Sequence, residues 1–177
     1  LTRMRRLEPQ VIEDYLLKKS PDAKALYERD AEGFRAAVLR ADGKLGAALT
    51  DVTGKESEST KKARAVTEAL LRASLPNTPY PAVRAAVFAL PTKRAELSDA
   101  LDDVLLALRD LLLVKCRAEE TPLFYTNRHA AEEDAAPMTK KRILRLFDLF
   151  SEAAGYNRQN GNITAILSDL SAKLKTV

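Results

Sequence analysis

Apolar residues recur at helical spacing along most of this chain, and the longest uninterrupted stretch of that pattern frames the rest. Residues 92–117, TKRAELSDALDDVLLALRDLLLVKCR, hold neither Gly nor Pro. Leu97, Leu101, Val104, Leu105, Leu108, Leu111 and Leu112 fall at i, i+4, i+7, i+8, i+11, i+14 and i+15, the stripe of an amphipathic helix. Thr92 follows Pro91 and is placed to cap the N-terminus with its hydroxyl. Asp99, Asp102 and Asp103 lie in the first half and Lys115 and Arg117 at the end, an order that suits the helix macrodipole. Leu106 and Leu113 sit off the stripe, seven residues apart. A helix apolar on two sides is usually buried on two sides. The pattern therefore predicts a central strut whose stripe is intramolecular core. Leu106 and Leu113, with Arg109 and Asp110 beside them, are expected to form a second face for a neighbouring subunit.

Ahead of this strut, residues 1–7 are too short to be a unit and read as the last strand of something preceding them. Pro9 opens a helix with Val11, Ile12, Tyr15 and Leu16 as its apolar face; Lys18 and Lys19 suit its end, and Ser20-Pro21 terminates it. A second helix is expected over 30–41, with Phe34, Val38 and Leu39 inward, and a third through Leu45, Ala48, Leu49 and Val52. Three short helices in so few residues make a small bundle, marginal if alone. A polar joint covers 53–59, and a helix over 57–75 follows, carrying Ala63, Val66, Leu70 and Leu71. Three prolines, Pro76, Pro79 and Pro81, mark a break before a helix over 80–90 with Val83, Val87 and Leu90 inward.

After the strut, residues 121–137 are the longest irregular stretch, and a loop of that length is either functional or a helix that periodicity conceals. Thr139 is placed to cap the next helix, with stripe Ile143, Leu146, Phe147, Phe150 and Ala154 and a stop at Gly155. The last helix has Ile163, Ile166, Leu167, Leu170 and Leu174 on one side and the small residues Ala165, Ser168 and Ala172 elsewhere.

Composition narrows the chemistry. The 177 residues are 46% hydrophobic but only 6% aromatic, a Leu/Ala-rich balance that favours helices. A net charge of +4 permits contact with nucleic acid without arguing for it, because no long basic tract with interleaved aromatics occurs. Cys116 is the only cysteine, which excludes an intrachain disulfide and suits a reducing, cytoplasmic compartment. No apolar run approaches the roughly 18 residues that a membrane span needs, so no membrane contact is expected. The chain opens on Leu1 rather than Met and shows no signal peptide, which reads as a piece of a longer protein.

Phosphate loops, HExxH pairs and nucleophile elbows do not occur, so no catalytic residue, cofactor or metal site is expected. His129, the single histidine, lies in a polar loop and reads as solvated. Cys116 lies near a helix C-terminus, whereas the N-terminus is the end that activates a thiol. Glu119, Glu120, Glu132, Glu133 and Asp134 lack the alternation and central Gly of a calcium loop and read as a solvated acidic segment. Asn162-Ile163-Thr164 matches a glycosylation sequon, but its asparagine is equally a helix cap. Lys140, Lys141 and Arg142 place three cations in a first helical turn, where the macrodipole disfavours each by about 0.3–1 kcal/mol. The expected reading is neutralisation by the nearby acidic segment; phosphate or an acidic partner is the other.

The order of these pieces is similar to a known family. Arg5-Arg6-Leu7-Glu8-Pro9 with the helix after it resembles the exit of an AAA+ core into its helical lid. Ala41-Asp42-Gly43-Lys44-Leu45-Gly46-Ala47-Ala48-Leu49 resembles the lid's Gly-containing turn and third helix. Leu108-Arg109-Asp110-Leu111-Leu112, and Asn160-Gly161-Asn162 leading into the last helix, are similar to features of a clamp-loader collar. Together they resemble the C-terminal two-thirds of the delta-prime subunits of bacterial DNA polymerase III. The motor subunits of such loaders carry a nucleotide-sensing arginine at the position of Gly46, and its absence suits delta-prime; many delta-prime chains carry Arg where this one has Ala47.

The resemblance implies an all-α fold, a three-helix lid over residues 1–55 followed by a five-helix collar-type bundle over 56–177. It implies a scaffold in the assembly that loads the sliding clamp during DNA replication. Its partners would be delta and the gamma/tau-type ATPases, with DNA touched only indirectly. The fragment would be no enzyme alone, although a subunit of the polymerase holoenzyme. Two other readings remain at this point. One is a free-standing helical nucleic-acid-binding protein using Arg3, Arg5, Arg6 and 140–142. The other is a helical enzyme using the acidic segment and a metal.

Overall fold

The computed structural model describes residues 7–41, 43, 45–53, 58–120, 122–125 and 128–177. These residues are all-α, with ten helices and no strand among them. The expected strand at 1–7 and the arginines Arg3, Arg5 and Arg6 lie outside the described residues, except Leu7; so does most of the expected joint at 53–59.

The first group is α1 (Pro9–Lys19), α2 (Pro21–Arg29), α3 (Ala31–Arg40) and α4 (Leu45–Val52). Four helices stand where the sequence pattern predicts three. Ser20-Pro21 is a junction rather than a terminator. Ser20 ends α1, its amide donating to the Leu16 carbonyl, while its Oγ accepts the Ala23 amide at 3.3 Å and so caps α2. Pro21 occupies the first turn of α2, where its missing N–H has no cost. Asp30 repeats the device between α2 and α3, accepting the Gly33 amide at 2.8 Å. A Cβ at Gly33 would stand 2.2 Å from Asp30 Oδ2, so a side chain there would push the capping carboxylate aside.

The core of this group is Ile12, Leu16, Ala23, Phe34, Ala37, Val38, Ala41, Ala48 and Val52, with Tyr27 edge-on to Phe34 at 5.4 Å. Val11, Tyr15, Leu39 and Leu49, expected inward, are exposed instead. These helices are short, and each buries a narrower stripe than its apolar content suggests.

The second group is α5 (Glu58–Ala73), α6 (Tyr80–Phe88), α7 (Arg94–Lys115), α8 (Arg128–Ala135), α9 (Lys140–Arg158) and α10 (Ile163–Leu174). It has six helices in place of five, because α8 lies inside the expected long loop. Its buried apolar residues form a second, separate cluster. α7 is the strut of this cluster and packs against α5, α8 and α9; α10 packs on α9 and α6.

Leu97, Leu101, Val104, Leu108 and Leu111 are fully buried on α7, as their spacing predicts, while Leu105 and Leu112 are only partly buried against the core. Thr92 does not cap α7. The N-cap residue is Lys93, without a side-chain cap bond, and its ammonium pairs instead with Glu96 of the first turn at 3.0 Å. Thr139 and Asn162 do cap their helices, accepting the amides of Arg142 at 3.2 Å and Ala165 at 3.0 Å. The asparagine of the sequon therefore serves as a cap.

α9 runs through Gly155 rather than stopping there. It ends where Asn160 turns left-handed (φ 62°), with Gly161 N–H donating to Tyr156 C=O at 2.9 Å and Asn160 N–H to Asn157 C=O at 3.2 Å. This is a Schellman ending. α7 closes in the same way around Arg117 (φ 56°): Ala118 N–H donates to Leu113 C=O and Arg117 N–H to Val114 C=O, both at 3.0 Å.

Candidate interaction surfaces and the Asp110 turn

α7 carries a second inward line beside its leucine stripe, and it is not the one that Leu106 and Leu113 suggest. Ala100, Asp103, Ala107 and Asp110 follow at intervals of three, four and three, one row along a helix. Ala100 and Ala107 are buried, Asp110 is 1% exposed and Asp103 is partly buried.

Asp110 Oδ2 accepts the backbone amides of Leu123 at 2.8 Å, Phe124 at 2.7 Å and Tyr125 at 3.3 Å. Its Oδ1 pairs with Arg109 Nη1 at 2.8 Å. A carboxylate facing three converging N–H groups is among the stronger hydrogen-bond arrangements a protein can make. It folds residues 122–125 back onto the strut. From the other side, Arg64 of α5 donates through Nη2 to the Phe124 carbonyl and lies 5.0 Å from the centre of that ring.

Tyr125 extends the same knot. Its hydroxyl donates to Asp134 Oδ2 of α8 at 2.9 Å. Burial first, and then that bond, push the phenol well above its ordinary range, so it remains a donor. Arg128 donates to the Ala118 carbonyl at 2.6 Å and pairs with Glu132 at 3.2 Å. The acidic residues of this region are thus partly occupied in fastening the segment.

The position of Asp110 corrects the expected interface. Its side chain is fully buried and committed to the turn, so it offers nothing to another chain. Leu106 packs in part against the core, and Leu113 is partly exposed. Arg109, 37% exposed in its side chain, reaches the surface beside them. Of the four residues expected on that face, Leu113 and Arg109 are therefore the ones left partly open.

Two further arginines act as clamps between helix ends. Arg94 at the start of α7 donates to the Asn157 carbonyl at 2.6 Å, to Asn157 Oδ1 at 3.1 Å and to the Gly161 carbonyl at 3.0 Å. Buried Asn157 donates back to the Arg94 carbonyl at 3.1 Å. Arg142 of the 140–142 cluster donates from Nε and Nη2 to the Ser74 carbonyl, at 3.0 and 2.7 Å. A cation disfavoured at its own helix N-terminus is thereby satisfied at the C-terminal end of α5, where the macrodipole welcomes it. Neutralisation by the acidic segment is not how Arg142 is accommodated. Lys140 and Lys141 are exposed.

Of the remaining candidates, His129 is 81% exposed and 3.4 Å from Glu133 of its own helix, and Cys116 is exposed at the end of α7. Among the described residues, no three His, Cys, Asp or Glu converge as metal ligands, and no helix is long and apolar enough to cross a membrane. Among the described residues, Asp103 is the carboxyl whose environment moves it far. Burial, then repulsion from Asp99 and Asp102, raise it from 3.8 to about 6, against the opposing pull of Arg64 and Arg40.

Sequence reasoning missed Asp110 and Asp103 as inward groups. Their signal is the row they share with Ala100 and Ala107. Comparison with family models, with characterised proteins and with solved structures finds no match for this chain.

Proposed function

We propose that this chain is a scaffold segment of a clamp-loader assembly of the delta-prime type, working by protein–protein contact. Residues 1–55 would serve as the lid and 56–177 as the collar, with delta and the gamma/tau-type ATPases as partners in loading the sliding clamp for DNA replication. The reading rests on the order and spacing of the resembling motifs. The observation that carries its mechanism is the open part of α7, where Leu113 and Arg109 stand beside the buried stripe. Arginines are enriched among the groups that anchor interfaces, and Arg109 here stands beside the partly exposed apolar surface of Leu113.

The test combines thermal melts with capture by purified delta and gamma/tau subunits. Leu113→Ser is expected to melt like the parent chain and to lose capture. Leu106→Ser is expected to cost about 1–2 kcal/mol of stability, because that side chain is partly in the core. Unfolding of both variants would assign the second face to the core. Failure of the parent chain to be captured by any loader subunit would overturn the clamp-loader reading.

A further inference from the structure

The outer face of α6 is apolar where a surface helix is ordinarily polar. Val83 and Val87 point into the core, whereas Tyr80, Pro81, Ala82, Arg84, Ala85 and Phe88 are exposed. The sequence of α6, YPAVRAAVF, contains no acidic residue. Tyr80, Arg84 and Phe88 follow at intervals of four, so they lie in one row along the helix. With Pro81 and Ala85 they line a shallow groove of about 520 Å³.

Two cations hold the ring faces. Arg84 Cζ lies 5.4 Å from the centre of the Phe88 ring, and Lys175 Nζ, just past α10, lies 5.5 Å from that of Tyr80. Among the described residues neither cation has a carboxylate partner. Protein–protein interfaces are enriched in aromatic residues and Arg and carry a polar rim. Here the rim is positive and its charge unmatched.

We propose that the α6 groove docks an acidic, apolar peptide segment of a partner protein. Its Leu, Phe or Pro side chains would lie between Tyr80 and Phe88, and its Asp or Glu side chains would pair with Arg84 and Lys175. Charge complementarity selects this occupant. Single-stranded nucleic acid fits the groove less well, because its binding needs a basic groove that tracks several phosphates, whereas Arg84 and Lys175 are the two cations against these rings among the described residues. The inference is independent of the clamp-loader reading and uses none of the α7 residues.

The test is fluorescence anisotropy with the full chain and labelled short peptides in which Asp or Glu alternates with Leu, Phe and Pro in several orders. The controls are the same peptides with Lys in place of each acid, and an oligo-dT of about 12 nucleotides. At least one acidic peptide should bind saturably and weaken as salt is raised from about 0.05 to about 0.5 M. Arg84→Glu with Lys175→Glu should lower its affinity at least about tenfold while leaving the thermal melt unchanged, since both side chains lie on the surface. Tyr80→Ser should weaken it without altering the salt dependence. Three results overturn the proposal: no acidic peptide binds, the lysine peptides bind equally well, or the charge reversals have no effect. Competition by oligo-dT at the same residues would assign the groove to nucleic acid instead.

Discussion

Replacing Asp110 by Ala removes the acceptor of three backbone amides at once. The Phe124 amide is buried and makes the shortest of the three bonds, at 2.7 Å. The Leu123 amide is part-buried, so water can replace some of its loss, and the Tyr125 bond is long at 3.3 Å. A buried donor left without a partner costs about 1–3 kcal/mol. Roughly 2 kcal/mol for Phe124 and about half of that for each of the others gives about 4 kcal/mol, within the range for breaking a buried charged interaction. Arg109 adds little, since its freed guanidinium returns to solvent. Asp110→Asn retains an acceptor but loses the charge, and should cost about half as much. The chain has no tryptophan, so urea unfolding is best followed by far-UV circular dichroism. Amide hydrogen exchange should show protection lost first at 123–125. An Asp110→Ala variant within about 0.5 kcal/mol of the parent, the scatter of neutral surface changes, would refute the reasoning. Unaltered exchange at the Phe124 amide would refute it equally.

Three further outcomes are expected. Leu101→Ala, at a fully buried site of the stripe, should cost about 2–5 kcal/mol in the same urea assay. The Asp103 carboxyl is raised from 3.8 to about 6, so the folded state holds its proton more tightly. Its contribution to stability is fully present below the unfolded value and is lost as pH rises through about 6. Asp103→Asn should therefore match the parent in acid melts and exceed it at neutral pH by about 1–2 kcal/mol, a figure discounted because water reaches part of the carboxyl. Arg117→Gly should stabilise by up to about 1 kcal/mol, because an exposed arginine holds a left-handed position at the end of α7; the melting temperature reads it.

The all-α class was legible because leucine spacing on α7, α9 and α10 admits only one period. α8 was not, since Ala131 and Ala135 are its only buried residues and two alanines carry almost no periodic signal. α2 was hidden by Ser20-Pro21, a pair that ends one helix and begins another with equal propriety; Asp22 in the first turn was the available clue. Asp110 was placed on the second face by its position beside Leu106 and Leu113. A carboxylate in line with Ala100 and Ala107 faces inward, and such a group must find donors. Its donors are backbone amides of 123–125, which no side-chain pattern encodes.

The junctions at Ser20 and Asp30 have a mechanical meaning. Each is a single residue that closes one helix and opens the next, so no spare chain separates α1 from α2 or α2 from α3. One residue inserted at either point would part the C-cap of one helix from the N-cap of the next, because a single residue now serves as both, and would misalign the buried face. The three helices thus behave like a folded carpenter's rule with tight rivets, in which length cannot be traded at the corners. A split site, tag or label placed there would break the unit, so grafts belong on its exposed helical faces.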